Sequence, residues 1–119
     1  MLVWDETDVL TVLEAIPDVE PYGIYHKFSV HKDRIELRLC IFQFDGDVSI
    51  ELFGDDIEDP VFSMKLVDCT GVRRIQDQSG EYLEFAPAKC FGSRYDGISK
   101  IPFGVHIHIK PTISVSLYG

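Results

Sequence analysis

Basic residues are scarce in this sequence: eleven Lys and Arg stand against twenty Asp and Glu in 119 residues, a net charge of -9. That sign opposes wrapping of a phosphate backbone, so nucleic acid is not expected as a partner. Long apolar runs are missing too. No stretch reaches the ~20 consecutive apolar residues of a membrane-spanning helix, so no membrane association is expected. Cysteine is sparse: Cys40, Cys69 and Cys90 are odd in number and widely spaced, without a Cys-x-x-Cys pair. They fit neither a disulfide framework nor a zinc knuckle and read as reduced structural thiols. The phosphate-binding patterns GxxxxGK[ST] and GxGxxG are absent, as is the Gly-x-Ser-x-Gly nucleophile elbow. No catalytic residue and no cofactor follow from the sequence. The opening segment MLVWDETDVLTVLEAIP carries acids where an export signal carries Lys or Arg, so a cytoplasmic location is expected.

What is present can fill one core. Hydrophobic residues make up 45% and aromatics 12%, enough for a single domain over residues 1–119. Asp5 or Thr7 can cap a short helix whose apolar stripe is Val9, Leu10, Val12, Leu13 and Ile16, with Pro17 stopping it. From Tyr22 onward the period becomes two. Ile35, Leu37, Leu39 and Ile41 alternate with Glu36, Arg38 and Cys40; after Phe44-Asp45-Gly46-Asp47, Val48, Ile50 and Leu52 alternate with Ser49 and Glu51. An Asp-Gly turn between two alternating runs predicts a hairpin over residues ~34–53. Further strands are predicted at ~61–68, ~72–76 and ~80–86, then a long loop over 87–102. Two final strands carry Val105, Ile107 and Ile109, then Ile113, Val115 and Leu117, around a turn at Lys110-Pro111. The fold class is therefore mostly β (α+β): an antiparallel β-sandwich or strongly curled sheet of about 7-8 strands with a short N-terminal helix.

The charge is unevenly laid out. Residues 1–60 hold fifteen acids and four bases, a balance of -11; residues 61–119 hold five acids and seven bases, a balance of +2. Asp55, Asp56, Glu58 and Asp59 fall in one loop, and Asp45 and Asp47 lie at the other end of the adjoining strand. Such charges solvate a loop and protect a sheet edge, and they equally offer a docking surface to a basic protein. Their spacing departs from the EF-hand pattern. Arg73 and Arg74 are consecutive, so on a strand they face opposite ways and form no patch; both read as solvated.

His106-Ile107-His108 places two imidazoles on one face of a strand, ~7 Å apart, a spacing that can share a metal ion when a third ligand joins them. His26, His31, Glu36 and Tyr118 are the available third ligands. With Gly104 just upstream, the pair is similar to the start of the cupin metal motif. It departs from that motif after His108, where Ile109-Lys110-Pro111-Thr112 supplies no glutamate. Two outward-facing strand histidines remain the plain alternative. Trp4, the only tryptophan, is expected to anchor the N-terminus.

Ile16-Pro17-Asp18, the charged strand Arg34-Ile35-Glu36-Leu37-Arg38-Leu39 and a later apolar strand ending near Asp68-Cys69 follow the helical start in an order that resembles small bacterial immunity-protein-type domains, in particular the immunity-50-like group. The overlap covers residues 5–85 and leaves Pro102 to Tyr118 unaccounted for. The resemblance implies a non-enzymatic protein that covers the active surface of a toxin, and an acidic first half suits a basic toxin or effector. Two other readings stay open. One is a small metal- or ligand-binding β-domain using His106 and His108. The other is a homodimer, because Cys40, Phe42 and Phe44 leave a second apolar face on the strand that buries Leu37, Leu39 and Ile41.

Overall fold

The structure, a computed structural model, describes residues 2–86, 97–98 and 104–118. The chain runs through helix α1 (Glu6–Leu13) and nine strands: β1 (Asp18–Val19), β2 (His26–Lys32), β3 (Ile35–Phe42), β4 (Asp47–Gly54), β5 (Phe62–Leu66), β6 (Val72–Asp77), β7 (Gly80–Phe85), β8 (Gly104–His108) and β9 (Ser114–Tyr118). They form two antiparallel sheets, the first in the order β1-β2-β3-β4-β5 and the second in the order β6-β7-β8-β9. The mostly β architecture read from the alternation is the one found. Among the described residues it has nine strands where seven or eight were expected, and one of them, β1, is only two residues long. Among the described residues no helix is long and apolar enough to cross a membrane.

Alternation decides the faces. On β3, Leu37, Leu39 and Ile41 are fully buried while Glu36, Arg38, Cys40 and Phe42 stay half-exposed on the other side. β4 matches it, pairing Leu37 with Leu52, Leu39 with Ile50 and Ile41 with Val48. A one-residue slip would turn this whole set to solvent, so register is strongly specified. The turn between the strands sets it from the other side: Gly46 has φ 78° and its N–H donates to the Phe42 carbonyl at 2.9 Å. A Cβ at Gly46 would lie 2.9 Å from the Cys69 carbonyl oxygen, so only glycine fits both the angle and the space. From the second sheet, Leu83, Phe85, Val105 and Ile107 join the same core, which α1 closes with Val9, Val12 and Leu13.

Helix α1 begins as expected, with the Thr7 N–H donating to the Asp5 carboxylate at 2.9 Å. It ends earlier than expected. Glu14 takes the left-handed conformation at φ 55° as C-cap, so the helix stops before Pro17 and Ile16 lies outside it, 88% exposed. The Glu14 side chain accepts a hydrogen bond from Lys110 Nζ at 2.7 Å, which ties this end of the helix to the turn after β8. The Lys110-Pro111 peptide bond in that turn is cis.

The two sheets are joined by the segment that precedes α1. The Leu2 N–H donates to the Gln43 carbonyl of the first sheet's hairpin at 3.0 Å, the Val3 N–H donates to the Thr70 carbonyl at 3.1 Å, and the Val72 N–H donates to the Val3 carbonyl at 3.0 Å. Leu2 itself is buried in the core. Trp4 anchors as expected: its indole N–H reaches Gln43 Oε1 at 3.4 Å and its ring stands edge-on to His26 at 4.8 Å. Cys69 is buried beside this junction, with its Sγ donating to the Ala86 carbonyl at 3.0 Å; burial pushes its thiol up to about 11. Cys40 and Cys69 are free thiols; Cys90, like most of the loop predicted over 87–102, lies outside the described residues.

Adjacent substitutions on β3 test this register. Leu39→Ala is expected to lower unfolding free energy by about 2–5 kcal/mol. Cys40→Ser, one residue away on the opposite face, is expected to change it by less than about 1 kcal/mol. Urea denaturation distinguishes the two, and equal losses contradict the assignment of faces.

Candidate functional site

The six acids singled out in the sequence occupy two separate places. Asp55, Asp56, Glu58 and Asp59 are exposed in the loop between β4 and β5. Asp45 is exposed in the β3–β4 turn, and Asp47 opens β4, accepting a hydrogen bond from the Asp68 N–H at 3.4 Å and lying 3.7 Å from Lys65 Nζ. The eight-residue strand β4, which Asp47 opens, runs from one group to the other, a length of roughly 23 Å at ~3.3 Å per residue. Within the loop, His31 Nε2 lies 2.9 Å from Asp55 Oδ1, and the Asp55 N–H donates to the Arg34 carbonyl at 3.2 Å, holding the acidic loop against the β2–β3 turn.

Between these acidic ends lies the outer face of the first sheet. Tyr25, Phe42 and Cys40 form the apolar part of a shallow depression, bordered by Lys27, Glu51 and Lys65. The Tyr25 and Phe42 rings are 6.0 Å apart. Arg38 lies with its guanidinium carbon 4.1 Å above the Phe53 ring while pairing with Glu36 at 2.9 Å, an arrangement that keeps a cation and an aromatic face together at the surface. Partial burial raises the Cys40 thiol above its ordinary value, which lowers its share of thiolate. Helix α1 packs on β6 and β7, so it leaves this face open.

The second sheet has a different outer face. Glu84, 4% exposed, accepts from Arg73 Nε at 2.7 Å through one carboxylate oxygen and meets His106 Nε2 at 2.9 Å through the other. Arg73 is thus part of a buried ion-paired chain and not merely solvated; Arg74 points the other way and pairs with Glu81 at 2.8 Å. His106 and His108 share one face, as the spacing predicts, and both rest on the Tyr82 ring, at 4.6 Å and 4.5 Å between centroids. The Tyr82 hydroxyl donates to Asp77 at 2.8 Å. His26, His31 and Glu36 belong to the first sheet, away from this pair. Among the described residues no three metal-capable side chains gather into one group. The arrangement is a packed polar ladder across β6, β7 and β8. Sequence reasoning missed Glu84 and Tyr82, whose roles depend on the cross-strand pairs Arg73–Glu84 and Glu84–His106.

Neither a family model nor a curated protein matches this sequence. A solved structure does match in fold: a chain of the contact-dependent growth inhibition toxin–immunity protein complex from Klebsiella pneumoniae 342, at 14% identity. The TM-score is 0.75 over 97% of this chain and 94% of that chain. The shared fold is that of a component of this complex. It takes in β8 and β9, which the resemblance seen in the sequence left out.

Titration of the ladder gives opposite slopes at its two ends. Burial, and then the neighbouring His106, hold His108 below its ordinary value of 6.5. The unfolded chain therefore binds this proton first, and stability falls as pH drops through the window below 6.5. Burial and the bond to Asp77 push the Tyr82 phenol from 10.0 up to about 12. Here the folded chain keeps the proton longer, and stability falls as pH rises from 10 to 12. Thermal unfolding across pH is expected to show His108→Gln flattening the acid slope and Tyr82→Phe flattening the alkaline one.

Proposed function

We propose that this chain is an immunity-type protein, a non-enzymatic binding module that neutralises a protein toxin by covering it. The observation that carries the reading is the fold shared, over nearly the whole length of both chains, with a component of a toxin–immunity complex. The docking surface in this reading is the outer face of the first sheet. Its centre offers Tyr25 and Phe42, half-buried aromatics of the kind that anchor interfaces when water is removed from around them. Its two ends carry exposed Asp45 with half-buried Asp47, and exposed Asp55, Asp56, Glu58 and Asp59, carboxylates that attract a cationic partner and orient it during encounter. The balance of -11 in residues 1–60 favours a basic toxin or effector. Inhibition by cover needs neither nucleophile nor cofactor from this chain.

The test is binding to the protein encoded immediately upstream of this chain's gene, followed by surface variants. Changing Asp55, Asp56 and Asp59 to Asn and Glu58 to Gln is expected to slow association roughly tenfold and to remove most of its salt dependence, with thermal stability nearly unchanged. Phe42→Ala is expected to act on dissociation, raising its rate by roughly tenfold or more. Unchanged association by the neutralised variant contradicts the acidic docking surface. Absence of binding to the upstream product contradicts the immunity reading itself.

A further inference from the structure

Both sheets end in edge strands, and an edge is a row of unpaired backbone groups that natural proteins blunt by shortening, charge, proline or cover. Three of the four edges here are blunted. β1 is two residues long and begins with Asp18. β5 carries Lys65 and lies between Pro60 and Asp68. β6 bears Arg73 and Arg74, and its first residue already donates its N–H to the Val3 carbonyl. Among the described residues β9 shows none of these devices. Ser114-Val115-Ser116-Leu117-Tyr118 contains no charge, no proline and no glycine, and among the described residues its ladder partner is β8 alone.

We propose that β9 pairs antiparallel with the β9 of a second copy of this chain, about a two-fold axis through Ser116, joining the two four-stranded sheets into one of eight. The strand is self-complementary in that register. Ser116 faces Ser116, and Val115 faces Leu117 of the other copy twice over. The β8 pairing puts Val115 opposite Ile107 and Leu117 opposite Val105, on the core side of the sheet, yet Leu117 is 68% exposed because nothing among the described residues lies beyond it. A second β9 supplies the missing neighbour for that apolar side chain and for the backbone groups beside it. Charge does not oppose it: β9 itself carries no charged side chain, so the two strands approach without like charges opposed. The same pairing leaves the Phe42 face of the first sheet free for a partner, and it does not depend on that partner's identity.

The experiment is light scattering of the full chain over a concentration series into the high micromolar range. The mass is expected to climb from the 13.5 kDa of one chain toward twice that value. Ser116→Lys and Ser116→Glu, on an exposed position, are each expected to hold the mass at one chain, because like charges then meet on the axis. An equimolar mixture of the two variants is expected to restore the dimer, since Lys then faces Glu. Thermal unfolding confirms that both variants are folded. A constant one-chain mass for the unaltered protein overturns the proposal, as does a dimer that survives both substitutions or a mixture that stays monomeric. An edge that instead accepts an extended segment of another protein corresponds to the first of these outcomes.

Discussion

Everything in this molecule depends on closing two sheets over one core, and the closure runs through residues 2–4. Leu2 bonds to the hairpin turn of the first sheet, Val3 bonds to Thr70 and to Val72, where the second sheet begins, and Trp4 presses on His26 while reaching Gln43. Gln43 in turn donates to the Gly23 carbonyl at 2.6 Å, so one glutamine gathers the N-terminus, the β1–β2 loop and the β3–β4 turn. Neither sheet alone buries its inner face; each supplies the apolar cover for the other. The five residues that link β5 to β6 contribute too, because the Cys69 N–H donates to the Gly46 carbonyl at 2.7 Å.

With both inner faces committed to the core, function is left to the outer faces and the edges, and these differ in chemistry. The first sheet presents Tyr25, Phe42 and Cys40 among Lys27, Glu51 and Lys65, between two acidic ends. The second presents a ladder whose charges are already satisfied, since Glu84 is held by Arg73 on one side and His106 on the other. A buried carboxylate with two partners is costly to disturb and has little left to offer a ligand. An open, unevenly charged face suits recognition, and a self-satisfied one suits rigidity. That division is the physical reason for assigning partner binding to the first sheet.

Much of this was legible in the sequence, and the limits are specific. The β3–β4 hairpin was readable because alternation and an Asp-Gly turn agree, and only one register buries Leu37, Leu39 and Ile41 together. The start of α1 was readable from Asp5. Its end was not: Glu14 in a left-handed conformation is uncommon, and Lys110, which holds its side chain, is 96 residues away. The Arg73–Glu84–His106 chain was hidden for the same reason. Each residue looks like an ordinary surface charge until strand order places β7 between β6 and β8. The division of the six acids between opposite ends of β4 was legible as well, because the alternation of Val48, Ile50 and Leu52 marks an extended strand between the two groups.

The claim at the centre of this account is that the outer face of the first sheet meets a protein partner. Amide hydrogen exchange of the chain, alone and with the product of the adjacent upstream gene, measures it most directly. The account predicts slowed exchange along β2, β3 and β4 and in the loop of residues 55–59, with β7 and β8 unchanged. Protection confined to the second sheet, or none at all in a complex that demonstrably forms, contradicts it.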